Sequence, residues 1–170
     1  YNYINQTESI TKAATMNNGK TNVTTGLING AVWDRTLNWL EETKGVTRSE
    51  LFDSTSWGNY YNSQFNFTGK YSTNYGDTFT DSTTSTQKPQ DSEYLLGTGV
   101  TEYTKKNNIY DLAGNCWEWT TESRSSNARG FRSGIDYVSG FVRPSYWLDV
   151  YSADDSRSSV SFRSSLYVSL

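Results

Sequence analysis

The segment that most constrains this chain is Gly114-Asn115 followed by Cys116-Trp117-Glu118-Trp119-Thr120. Gly and Asn tolerate positive φ, so the pair marks a tight turn. Side chains alternate in the extended segment that follows, which puts Trp117 and Trp119 on one face and Glu118 on the other. Two neighbouring indoles need a deep interior, and core packing is their expected role. The rest of the chain must build that interior from unusual material, since only 34% of its residues are hydrophobic while 15% are aromatic. Its 6 Trp, 13 Tyr and 7 Phe therefore carry much of the core. With 170 residues the chain has the size of one globular domain, here residues 1–170. Ser, Thr, Asn and Gly fill most of the remainder, which suits a loop-rich fold with short strands.

A net charge of −3 and a pI near 5.0 give no electrostatic footprint for nucleic acid. The lysines stop at Lys106; beyond it every basic residue is arginine, which suits planar, stacked contacts in an interface. The single cysteine, Cys116, rules out an internal disulfide. The absence of histidine removes the usual general base, the commonest metal ligand and any Ser-His or Cys-His pair. No apolar run approaches membrane-spanning length and no signal-peptide pattern is present, so membrane insertion is not expected. The chain starts at Tyr1 rather than Met, which reads as the C-terminal fragment or processed form of a longer protein.

Residues 5 to 17 read as a helix, with Asn5 as N-cap, Glu8 three residues on, and Ile10, Ala13 and Ala14 on one face before Asn18-Gly19. A second helix runs from Ala31 to Lys44, where Trp33, Leu37 and Leu40 recur at helical spacing, Trp39 widens the stripe and Gly45 stops it. From Asp53 to Gln90 the pattern dissolves, and Asp81 to Asp91, without an apolar residue, reads as the mobile part. Strands are expected over Tyr94 to Leu96, Cys116 to Thr120, Phe131 to Tyr137 and Ser161 to Val168, the last with Phe162, Leu166 and Val168 opposite Arg163, Ser165 and Tyr167. No repeat of solenoid or propeller period is present. The reading is α+β: two helices, then a small, twisted, mostly antiparallel sheet with long loops.

Asn108 to Thr120 (NIYDLAGNCWEWT) resembles the G-L-Y-D-M-x-G-N-V-W-E-W signature of the formylglycine-generating enzyme superfamily. Gly30 to Leu40 (GAVWDRTLNWL) resembles that family's front helix. Ser161 to Val168 (SFRSSLYV) is similar to its closing strand, and Ala128 to Arg132 (ARGFR) stands where it has R-G-G. The resemblance implies a C-type lectin fold. Members that oxidise sulfatase cysteines use a C-terminal cysteine pair, and Tyr151 to Arg163 has none. Members that form sulfur–carbon bonds with non-haem iron need histidines, which the chain lacks. A non-catalytic role is therefore expected, with a divergent oxidoreductase as an alternative. Cys116 reads as a buried small hydrophobe rather than a nucleophile. Asp154-Asp155 face opposite ways and make a poor acid/base couple; Asp34, Glu41 and Glu42 lie on the second helix.

The resemblance also implies a calcium ion held by the Asp111 side chain, the carbonyls of Gly114 and Cys116, and the Glu118 carboxylate, a donor set that calcium accepts. The alternative is that Asp111 caps the turn while Glu118 pairs with an arginine such as Arg163.

From Arg132 to Ser159 the chain mixes aromatics with Ser, Gly, Asp and Arg, the composition of recognition surfaces. Phe131, Ser133, Ile135, Asp136, Tyr137, Phe141, Arg143, Tyr146, Trp147, Leu148, Asp149 and Tyr151 are the expected ligand-binding residues. Aromatics would act as hot spots there, with Arg143 and Asp149 setting polarity. This part resembles the variable region, here residues 131–159, of C-type-lectin-like variable proteins of diversity-generating retroelements. That likeness implies an extracellular domain on a virion tail or bacterial surface. It would bind a host or neighbour-cell surface protein or glycan, in a homo-oligomeric fibre or tail assembly. A carbohydrate-binding lectin module, with Trp147 stacking on a sugar ring, is the other alternative. The N-x-S/T triplets at Asn5, Asn22 and Asn66 are expected from composition alone.

Overall fold

Asn5 opens the first helix, α1 (Gln6–Ala14), through a capping box: its side chain accepts the Glu8 N–H while the Glu8 carboxylate accepts the Asn5 N–H. The chain is described by a computed structural model over residues 2–74 and 78–168. The buried face of α1 is Gln6, Ser9 and Ala13, not the Ile10–Ala13–Ala14 face read from the sequence. The Gln6 amide donates to the buried Thr120 carbonyl at 2.6 Å, which sets the rotation of the helix and leaves Ile10 outside.

β1 (Val23–Leu27) leads into α2 (Gly30–Lys44), capped by Asn29 and closed by Gly45 in the left-handed region at φ 73°. Trp33, Leu37 and Leu40 are buried as expected. Trp39 does not widen the stripe; it lies outside, with the Lys44 ammonium over its ring. A third helix, α3 (Arg48–Phe52), begins at a second capping box, Thr47 with Glu50. The described residues thus hold three α-helices where two were expected.

The stretch from Asp53 to Gln90 is not irregular throughout. β2 (Phe65–Ser72) and β3 (Thr80–Lys88) pair antiparallel, and β4 (Leu95–Leu96) pairs on the other side of β2. Most of the segment expected to be mobile is therefore strand. It gave no alternation because nearly all of β3 faces solvent and only Lys88 at its end is fully buried. β-branched threonines and pairing with β2, whose Phe65 and Phe67 reach the core, hold it instead.

β5 (Lys105–Lys106) and β6 (Ile109–Tyr110) form a short pair before β7 (Trp117–Ser123), β8 (Ala128–Arg132), β9 (Leu148–Ser152), β10 (Val160–Phe162) and β11 (Ser164–Val168). The central sheet has the order β10-β7-β8-β9, with β10 and β7 parallel and the other neighbours antiparallel. The strand expected over 131–137 ends at Arg132, because Ser133 turns to φ 72°. The one expected over 161–168 divides at Arg163: β10 stays with β7, and β11 crosses to pair antiparallel with β1. Leu166 and Val168 are exposed together with Tyr167, so their alternation marks no core face. The architecture is α+β with antiparallel and mixed sheets, four small sheets among the described residues rather than one.

Aromatic residues carry the core, as composition required. One cluster gathers Trp33, Leu37 and Leu40 of α2 around Trp57 and Tyr60. A second packs Trp117, Trp119, Phe131 and Ile135 against Ile4 and Ala13. A third, Phe65, Phe67 and Leu96, lies under β2 and β4. No helix among the described residues is long and apolar enough to cross a membrane.

Candidate ligand-binding surface

The Gly114-Asn115 turn builds the floor of the site. Both residues have positive φ, 72° and 65°. A Cβ on Gly114 would lie 2.2 Å from the Asn59 carbonyl oxygen, so only glycine allows that approach. The Asn115 carboxamide then does the work of a strand neighbour. Its Oδ1 accepts the Leu96 N–H at 2.9 Å and its Nδ2 donates to the Leu96 carbonyl at 3.0 Å. Asn59 Nδ2 donates to the same Oδ1 at 2.8 Å. Ser133 completes the turn by accepting the Gly114 N–H on its hydroxyl at 3.0 Å. Beyond it Trp117 and Trp119 are buried on one side of β7, and Trp119 Nε1 donates to the Ile4 carbonyl.

Glu118, on the other side of β7, meets the Arg163 guanidinium as a two-pronged pair: Nε to Oε2 at 2.8 Å and Nη2 to Oε1 at 2.7 Å. Arg163 Nη2 also donates to the carbonyls of Tyr110 and Asp111. Burial raises the Glu118 carboxyl above the ordinary range, and Arg163 pulls it back. Asp111 is raised by burial too; its Oδ2 is buried without a well-formed hydrogen bond, beside the Thr104 hydroxyl. Within the donor set implied for calcium, both Glu118 oxygens accept from the Arg163 guanidinium, while the Gly114 carbonyl accepts the Cys116 N–H at 2.9 Å and keeps a second lone pair. A cation there would compete with Arg163 for Glu118, in the only ion pair that carboxylate makes among the described residues. Burial also pushes the Cys116 thiol well up, with Asp136, Glu118 and Asp111 adding to the effect, which disfavours the thiolate.

The residues expected to bind ligand do not form one surface. Phe131, Ser133, Ile135 and Asp136 are interior, each at most 2% exposed. The Phe131 ring is 4.6 Å from Trp117 and 5.0 Å from Tyr151, which are themselves 5.9 Å apart, so the three rings cluster where β7, β8 and β9 meet. Beside that cluster sit Tyr137, Arg143 and Asp149. Arg143 covers the Trp117 ring at 4.8 Å and pairs loosely with Asp149 at 3.9 Å, and Arg157 covers Tyr151 at 4.1 Å. Phe141, 63% exposed, and its neighbour Val142 form the outermost apolar tip of the same stretch.

Tyr146 and Leu148 look elsewhere. Tyr146 packs against Phe52 of α3 at 4.7 Å and walls a groove of about 210 Å³ with Asp34, Asn38 and Glu41. Leu148 and Val150 line a shallow cavity with Glu122 and Arg124. Leu148 is in register with Arg132, whose guanidinium is held by Glu122 and Asp34. Trp147 is half-buried. Sequence reasoning missed Val142, Phe52 and Arg157. For Phe52 the Thr47-x-x-Glu50 capping pattern was the available signal. A larger cleft, about 540 Å³, opens elsewhere, between α2, β6 and β11.

The backbone carrying the tip is pinned from below. The Gly140 carbonyl accepts the Ser54 N–H and its N–H donates to Asn62 Oδ1, both at 3.2 Å. Ser145 N–H donates to the Ser54 hydroxyl at 3.1 Å, and its carbonyl accepts Trp33 Nε1 at 3.0 Å. A Cβ on Gly134 would lie 2.1 Å from the Arg143 carbonyl oxygen, and one on Gly140 2.4 Å from the Thr55 nitrogen. Asp136, at the root of the stretch, has its carboxyl pushed up to about 7 by burial first and then by Glu93, with Lys88 opposing. No family model, no curated protein and no solved structure matches the chain.

Proposed function

We propose that this chain is a non-catalytic binding domain of C-type lectin type, akin to the variable proteins of diversity-generating retroelements. In this reading the loops between β8 and β10 meet a host or neighbour-cell surface protein or glycan. The observation that carries it is the contrast within residues 134–148. Tyr137, Phe141 and Val142 are exposed, while Gly134, Gly140 and Ser145 fix the backbone beneath them. Exposed aromatics on a pre-ordered backbone contribute affinity without a large ordering penalty. A histidine-free chain with a buried, protonated cysteine supports binding over catalysis. Such a domain belongs outside the cell, on a virion tail or bacterial surface, where a homo-oligomeric fibre would raise weak single-site affinity by avidity.

The test is binding of the labelled protein to intact bacterial cells and to a glycan array, comparing wild type with Tyr137→Ala/Phe141→Ala at equal folded fraction. Undiminished binding by the double variant would sink this assignment of the face. A reverse-transcriptase gene beside this one, with a near-copy of the sequence encoding Arg129 to Phe162, would support diversification; its absence would remove that part alone. A sugar-binding reading draws on the groove beside Tyr146, where an aromatic wall faces Asp34, Asn38 and Glu41. Glycan binding abolished by Tyr146→Ala and untouched by Phe141→Ala would favour it. Copper or iron at stoichiometric level in the purified protein would instead favour the oxidoreductase alternative.

A further inference from the structure

The chain contains Asn-Gly twice, at Asn18-Gly19 and Asn29-Gly30. In such a pair the glycine nitrogen, with no Cβ beside it, can attack the preceding asparagine's side-chain carbonyl. The new C–N bond closes a succinimide ring and expels ammonia. Water then opens the ring at either carbonyl, leaving aspartate or isoaspartate, in which the main chain runs through the former side-chain carbon. Sequence gives the two pairs equal standing, but their surroundings differ.

Asn29 is the N-cap of α2: its Oδ1 accepts the Val32 N–H at 2.8 Å and its carbonyl accepts the Trp33 N–H at 3.0 Å. Gly30 is buried inside the first turn, where a Cβ would lie 2.1 Å from Glu122 Cδ. Attack there requires the first turn of α2 to come undone. Asn18 is exposed, and its carboxamide makes no hydrogen bond among the described residues. Gly19 is exposed as well, with nothing within 4 Å of a Cβ position. Gly19 N–H to Asn17 Oδ1 at 3.3 Å and Asn18 N–H to the Thr15 carbonyl at 3.4 Å are long, and one bond of ordinary length, Lys20 N–H to the Asn17 carbonyl at 3.0 Å, closes the turn over the pair. Rearranging Asn18 therefore opens one exposed turn and no packed element.

We infer that Asn18 is a site of spontaneous, one-way conversion to isoaspartate and aspartate, and that the cap on α2 protects Asn29 from the same reaction. The conversion places a new carboxylate, and in the iso form an extra main-chain methylene, in the turn between α1 and β1. Asn17 Nδ2, one residue away, donates to the Val23 carbonyl where β1 begins. The modified turn thus stands at the entrance to the β1–β11 pair.

The test follows the folded full-length chain through incubation at mildly alkaline pH. Peptide mass mapping locates the amide-to-acid mass change, and labelling by an isoaspartyl methyltransferase identifies the iso product. The expected result is conversion at Asn18 roughly tenfold faster than at Asn29, since reaction at Asn29 must first open a capped turn. In the same chain unfolded in urea the two sites should convert at similar rates. Equal rates in the folded chain overturn the inference, as does an Asn18 that keeps its amide after the unfolded chain has converted. Asn18→Gln should reduce the iso label to the slow rate set by Asn29; label accumulating at the wild-type rate in that variant would place the reaction elsewhere and also overturn the inference.

Discussion

Replacing Asn115 by alanine should cost far more than an exposed turn residue would, because its carboxamide substitutes for a missing strand. The change deletes the acceptor of the Leu96 N–H at 2.9 Å and the donor to the Leu96 carbonyl at 3.0 Å. Leu96 is 4% exposed, so water does not readily replace either bond. Asn59 Nδ2 also loses one of its acceptors but keeps the Tyr94 carbonyl at 2.6 Å. Two orphaned buried backbone groups at about 1–3 kcal/mol each, with the positive φ that alanine must adopt at about 1–2 kcal/mol, give roughly 3–8 kcal/mol in total. A domain of this size has about 5–15 kcal/mol in all, so the variant should be close to unfolding. Asn115→Gly separates the two contributions: it leaves the same groups unpaired but relieves the backbone, and should be more stable than the alanine variant by about 1 kcal/mol. Urea titration of all three proteins, with a common m-value, measures both differences. A loss below about 1 kcal/mol for Asn115→Ala would show that the Leu96 groups find other partners. Equal stability of the Ala and Gly variants would refute the backbone part.

Three further outcomes follow from the same geometry. Arg163→Ala should destabilise by about 3–5 kcal/mol, since it leaves the Glu118 charge buried and unpaired, whereas Glu118→Gln should cost less because Arg163 is partly exposed, and calcium should leave the wild-type melting midpoint unchanged; a rise with calcium concentration would show a bound ion in place of the pair. Asp136, held at about 7 against an ordinary 3.8, binds an extra proton in the folded state between those values, so its contribution to stability falls as pH rises through that window. Asp136→Asn should remove that slope and, above neutrality, exceed wild type by at most about 4 kcal/mol; unchanged pH dependence between acid and neutral melting curves would refute the burial. Phe131→Ala should cost about 3–5 kcal/mol while Phe141→Ala stays within about 0.5 kcal/mol, and chemical denaturation showing similar costs would contradict the division of the stretch into interior and tip.

Legibility of the fold in the sequence followed how strongly each element advertises itself. The capping box at Asn5 and the Gly45 stop are local backbone chemistry, so the start of α1 and both ends of α2 were readable; α1 stops at Ala14, short of the end expected at residue 17, because Thr15 caps it before the Asn18-Gly19 signal is reached. α3 carries the same capping signal but only five residues, of which Leu51 alone is buried, and no periodicity could reveal it. β3 was invisible because its pairing with β2 is made of backbone bonds, and its polar side chains face solvent on both sides. The candidate surface was legible as a composition and not as a geometry. In the run from Phe131 to Tyr137 the Ser133-Gly134 pair is a turn signal that the strand reading passes over, and the burial of Ile135 and Asp136 beyond it rests on neighbours distant in sequence, among them Gly114, whose N–H donates to the Ser133 hydroxyl. The ion pair of Glu118 with Arg163 was foreseen as one of two choices, since a buried carboxylate needs a counter-charge and few basic residues follow Lys106.

The pinning of the tip by Gly134, Gly140 and Ser145 sorts this region into positions that can vary and positions that cannot. A side chain added at either glycine would run into main-chain atoms of Arg143 or Thr55. Ser145 is fully buried between Ser54 and Trp33, where a larger group has no room. The intervening Phe141 and Val142 stand clear of such constraints. A combinatorial library confined to the clear positions should therefore yield mostly folded members, whereas one that also spans the anchors should yield mostly collapsed ones. That difference in yield would trace the boundary between the positions that hold this stretch and the positions that tolerate change.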